Sequence, residues 1–142
     1  MKKLFFIVIA FLMFGITSVL SQNSDELQGA WEVVYTEYIY TAVNDTLYGA
    51  QFENPSVKLL TKKHFAFGHQ TRNSESITGG GGIYSYDGMT YTEHIKYHTV
   101  NSVIGKSVMF KSKLEGDNWT ISGVISMDDG DVKMKEIWKR IE

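Results

Sequence analysis

The sequence predicts an all-β protein, a single antiparallel up-and-down β-barrel of about eight or nine strands. Three observations carry that expectation. Runs rich in β-branched and aromatic residues alternate with short turns of Gly, Asn and Asp, and no helical period outlasts a single turn. The segment from Gly79 to Tyr97, GGGGIYSYDGMTYTEHIKY, reads as a hairpin about Asp87-Gly88, a pair suited to positive φ. Cysteine is absent, so an exported domain of this size must hold together by packing and backbone pairing alone. A meander of hairpins removes its exposed edges by closing on itself; a two-sheet sandwich is the alternative.

The elements follow in order. Ser24-Asp25-Glu26-Leu27 begins a short helical turn with Ser24 as its cap. Trp31 to Tyr40 is a long strand, dense in β-branched and aromatic residues. Asn44-Asp45 turns the chain into a weaker strand, Thr46 to Phe52, which Asn54-Pro55 ends. Val57 to Leu60 and Phe65 to Phe67 form a hairpin around Thr61-Lys62-Lys63-His64. His69 to Gly82 is polar and glycine-rich, a mobile loop. After the Gly79-to-Tyr97 hairpin, Ser107 to Leu114 is a strand. The turn Glu115-Gly116-Asp117-Asn118 then pairs Leu114 with Trp119, Ser112 with Ile121 and Phe110 with Gly123. Met127 to Gly130 turns once more, into Val132 to Ile141.

Folding about Asp87-Gly88 pairs Tyr86 with Met89, Tyr84 with Tyr91 and Gly82 with Glu93. Alternation then sets Tyr84, Tyr86, Met89, Tyr91, Glu93, Ile95 and Tyr97 on one face. A tyrosine-rich face with one carboxylate suits a barrel lining. In the last strand the same rule groups Val132, Met134, Glu136, Trp138 and Arg140, with Lys133, Lys135 and Lys139 toward solvent.

Residues 1–21 read as a secretory signal peptide: basic Lys2-Lys3, apolar Leu4 to Phe14, then small and polar residues to Ser21. Cleavage after Ser21 leaves residues 22–142 as one domain, in the periplasm, the cell envelope or outside the cell. The alternative is an uncleaved anchor, since Leu4 to Leu20, about 17 residues, is at the short edge of a membrane span. No cysteine lies near the cut, which excludes a bacterial lipid anchor. Without Lys2 and Lys3, the 14 basic residues fall to 12 against 16 acidic ones, a formal balance near −4. No dense basic face exists for phosphate contacts, so nucleic acid is excluded as a partner.

Gly29-Ala30-Trp31 opens the first long strand, and Glu136-Ile137-Trp138-Lys139-Arg140 closes the last. With Lys58 to Gly68, the Gly79-to-Tyr97 hairpin, Gly105-Lys106-Ser107 and the Glu115-Gly116-Asp117 turn, these segments resemble the lipocalin-like domain family, small secreted bacterial relatives of the lipocalins. The resemblance implies a barrel open at one end, its tryptophan closing the other beneath a basic side chain of the last strand. Arg140 fits that role, with Lys139 next. No established activity comes with the resemblance.

The candidate site residues weigh as follows. Tyr84, Tyr86, Tyr91, Tyr97, Phe65, Phe67 and Phe110 either wall a ligand cavity or fill the barrel by cross-strand packing. Glu93 and Glu136 point inward, where a buried carboxylate needs a partner. Each orients a ligand, or is held in a structural network by Arg140, Arg72, Lys106 or a tyrosine hydroxyl. His94 and His98, four apart on a strand, lie about 13 Å apart along its axis and cannot share a metal ion. His64 and His69 read as surface residues, and His69 is the best histidine for a haem that nothing else in the sequence calls for. Nucleophilic catalysis has no support: there is no cysteine and no Gly-x-Ser-x-Gly. The four-glycine run precedes a strand and not a helix, so it relieves crowding where a strand bends and does not bind phosphate. No metal or cofactor is expected. The sequence therefore favours a binding barrel for a small hydrophobic ligand. A filled barrel acting through its surface, or an isomerase or hydrolase using Glu93 or Glu136 as general base, stands as the alternative.

Overall fold

The computed structural model describes residues 25–48, 52–71 and 75–142. The leader, Ser24 and Arg72 lie outside the described residues. Among the described residues, nine strands run antiparallel: β1 (Gly29–Tyr40), β2 (Asp45–Tyr48), β3 (Phe52–Leu60), β4 (His64–Thr71), β5 (Ile77–Tyr86), β6 (Thr90–His98), β7 (Ser107–Glu115), β8 (Asn118–Met127) and β9 (Gly130–Arg140). Each of β3 to β8 pairs with the next in sequence, β1 pairs with β3, and β1 pairs with β9. That makes a closed eight-stranded barrel, with β2 added beside the second half of β1. The closing seam runs from Trp31 opposite Arg140 to Tyr40 opposite Val132.

Pairing at the Glu115-to-Asn118 turn matches the expected register, with Leu114 opposite Trp119, Ser112 opposite Ile121 and Phe110 opposite Gly123. The β5–β6 hairpin differs. Tyr86 faces Tyr91 and Tyr84 faces Glu93, two residues away from the expected register. The Asp87 carboxylate accepts hydrogen bonds from the Met89 and Thr90 amides at 2.9 and 2.7 Å, which holds the turn open. A slip of two preserves the alternation, so Tyr84, Tyr86, Tyr91, Glu93 and Ile95 all still face inward and are buried. Met89 falls in the turn and is exposed.

Two further corrections concern the segments read as irregular. The stretch from His69 to Gly82 is largely sheet, because β4 runs to Thr71 and β5 begins at Ile77. Pro55 does not end a strand; it lies within β3, where the register against β4 shifts between Asn54 and Val57. A proline is tolerated at such an irregularity because no ladder amide is required there.

Bulges in β1 and β6 also reverse the alternation. In β1 the register against β9 skips between Val33 and Tyr35, leaving Val34 exposed. Trp31 and Val33 point inward before it; Thr36, Tyr38 and Tyr40 face the interior after it. In β6 the pairing passes from Gly82–Ile95 to Gly81–Tyr97, leaving Lys96 unpaired. Tyr97 therefore faces solvent, 75% exposed, and His98 turns inward. The glycine run sits opposite this bulge. A Cβ on Gly82 would lie 2.1 Å from the His94 carbonyl oxygen, so the backbones approach too closely for any side chain.

Candidate functional site

The barrel is stoppered at the end where β1 starts. Trp31 is fully buried and donates its indole N–H to the Leu27 carbonyl at 2.8 Å. The Arg140 guanidinium lies 4.1 Å from the Trp31 ring centroid and donates to the Gln28 and Glu26 carbonyls. The short turn from Asp25 brings Leu27, fully buried, in beneath the strands. Above this plug the aromatic rings stack in one cluster. Trp119 lies 5.4 Å from Trp31, 4.9 Å from Tyr91 in an edge-on contact and 6.5 Å from Trp138. Tyr91 lies 5.4 Å from Tyr84 and 6.1 Å from Phe110. This half of the barrel is filled.

The other half is hollow. A cavity of about 440 Å³ extends from Trp138 and Phe110 toward the end where Tyr40, Thr78 and Met127 stand. Its walls are mostly apolar, with Phe67, Ile95, Val108, Ile125, Val132 and Met134 among them. Such a volume and such walls fall in the ordinary range for small-molecule sites.

Buried charge occupies the cavity floor. The Lys58 ammonium lies 2.8 Å from Glu93 Oε1, both side chains buried. The Tyr91 hydroxyl donates to the same oxygen at 3.0 Å. Lys58 also sits 4.9 Å from the Trp138 ring centroid and 5.5 Å from that of Tyr91, within reach of both π-faces. Glu136 accepts from the Tyr38 hydroxyl at 2.6 Å on one oxygen and from the Trp138 indole at 2.9 Å on the other. Burial pushes the Glu136 carboxyl above the usual carboxylate range, and Glu93 adds to this; Lys58 and the two donors pull it back. Burial likewise raises the Tyr38 hydroxyl, with the Glu136 charge adding to it. Near the mouth, burial holds His69 and His98 below their ordinary value. The His98 charge lowers His69 further, while the Glu93 charge works against the lowering of His98.

The expected residues thus divide. Phe67, Phe110, Glu93 and Glu136 line the cavity. Tyr84, Tyr86, Tyr91 and Phe65 are inward and buried but belong to the packed half. Tyr97 is outside the barrel altogether. Of the basic residues expected to hold the carboxylates, Arg72 lies outside the described residues and the other two bind elsewhere. Arg140 caps the opposite end, and Lys106 donates to the Ser126 carbonyl. Tyrosine hydroxyls do bind both carboxylates, as anticipated. Lys58 was missed, although its alternation with buried Ser56 and Leu60 places it inward. Tyr38 and His98 were missed because each lies beyond a bulge.

The family described as "Domain of unknown function (DUF4488)" matches residues 26–142. The chain belongs to that family. Its meander, closed over a Gly-x-Trp tryptophan with an arginine of the last strand against the ring, is a lipocalin-like barrel. Among solved structures the chain is similar to a lipocalin-like protein from Bacteroides uniformis, at 14% identity and a TM-score of 0.49, over 82% of this chain and 99% of that one. No curated protein matches the sequence.

Proposed function

We propose that this family member is an exported binding protein that holds one small, mainly apolar molecule in the hollow half of its barrel. The observation that carries this reading is the cavity of about 440 Å³ between apolar walls, with Lys58, Glu93 and Glu136 grouped at its floor. Packing alone gives no reason to keep such a space, because empty volume costs dispersion contacts. Apolar walls supply affinity in proportion to the area removed from water. Polar atoms at the floor fix the orientation of the guest. Export is supported by the basic and apolar pattern of residues 1–21.

Titration with the neutral apolar fluorophore N-phenyl-1-naphthylamine tests the reading. One molecule bound per barrel, lost when Val108→Trp fills the cavity, is the expected result. Equal binding by the two proteins refutes an interior site.

A further inference from the structure

We propose that the cavity floor selects a cationic head group, a protonated primary amine on an apolar tail, with Glu136 as its counter-ion. The inference rests on the interior binding site proposed above and adds the chemical class of its occupant. Among the described residues, the ionisable groups facing the cavity are Tyr38, Tyr40, Lys58, His69, Glu93, His98 and Glu136. Burial keeps the two tyrosines and two histidines in their neutral forms near pH 7. That leaves one ammonium and two carboxylates. Lys58 is bonded to Glu93 at 2.8 Å. Among the described residues, Glu136 has no cation in hydrogen-bond contact, and its partners are the Tyr38 hydroxyl and the Trp138 indole. Each is a donor to a separate oxygen, which suits the ionised form and leaves further lone pairs on both oxygens. A buried carboxylate lacking its own cation is costly; burial raises the Glu136 carboxyl, and the Lys58 charge offsets that rise only in part.

Three head groups can be compared on this floor. An anion would meet Lys58 but also two carboxylates. A neutral hydroxyl would leave Glu136 uncompensated. An ammonium would supply the missing charge and donate to Glu136, with the Trp138 π-face beside it.

Displacement of N-phenyl-1-naphthylamine by octylamine, octanol and octanoate, which share one tail length, reads the difference. Octylamine should bind about ten- to a hundredfold tighter than octanol, the worth of a hydrogen bond to a charged group. Glu136→Gln should bring that ratio close to one. A wild-type pH titration tests the same claim without a variant. The preference for octylamine should fade as acid protonates Glu136, since the amine itself stays charged throughout. Octanol binding as tightly as octylamine, octanoate binding tightest, or a preference that persists in acid would each overturn the proposed selectivity while leaving the cavity reading intact. Failure of all three compounds to displace the fluorophore would overturn both.

Discussion

Glu93 is 5% exposed, with an ammonium 2.8 Å from one oxygen. Removing one partner of such a pair strands the other, at a cost of about 3–5 kcal/mol. Lys58→Met should lose that much in urea unfolding. The double variant Lys58→Met/Glu93→Gln, which keeps an acceptor for the Tyr91 hydroxyl, should recover most of it. Equal losses in the single and double variants would show that the pair is not coupled. Trp31, fully buried and held by both Leu27 and Arg140, should cost about 3–5 kcal/mol as Trp31→Ala; a loss below about 1 kcal/mol would remove it as the plug. Glu136 gives a pH signature. Its carboxyl titrates above the ordinary 4.5 in the folded protein, so between the ordinary and the raised value the folded state holds a proton that the unfolded chain has released. Stability contributed by Glu136 therefore falls as pH rises from that ordinary value through the raised one. His69 and His98, titrating below 6.5 in the folded state, act in the opposite sense, with stability rising as pH climbs to the ordinary value. Subtracting the stability profile of Glu136→Gln from that of the wild type isolates the carboxylate. A difference that rises with pH across its window contradicts the assignment.

At the scale of the strand, the two bulges decide which side chains reach the cavity. Alternation was legible in the sequence wherever the ladder is regular, which is why β9 and the β7–β8 turn read correctly. The β5–β6 slip was harmless because two residues restore the same face. A bulge changes parity by one, and it leaves no periodic mark in a single sequence. Tyr38 and His98 were therefore hidden, and Tyr97 was placed on the wrong side. The glycines opposite Lys96 were the available signal: four in a row in a strand point to close backbone approach. Gly82→Ala should destabilise by about 1–3 kcal/mol, the cost of forcing atoms into occupied space, because its Cβ would meet the His94 carbonyl at 2.1 Å. Gly68→Ala, whose nearest neighbour would be the Thr78 oxygen at 4.0 Å, should stay within about 0.5 kcal/mol. Similar losses at both positions would mean that the crowding at Gly82 is relieved elsewhere.

Across the whole molecule, the barrel divides its length between two tasks. The half around Trp31, Tyr91, Trp119 and Trp138 is packed and supplies stability without a disulfide. The half above Lys58 and Glu136 is hollow. Composition alone could not locate that boundary, since tyrosines fit either half; it depends on which rings the turns bring to the plugged end. The closed wall, by contrast, was legible in the run of hairpins. A direct test of the hollow half is a crystal structure of the protein soaked with 8-bromo-octanol, read by anomalous scattering. The expected result is a bromine peak inside the wall, toward the mouth near Tyr40 and Met127, with the hydroxyl end toward Glu136. Bromine found only on the outer surface, above an interior collapsed onto its own side chains, would contradict the account.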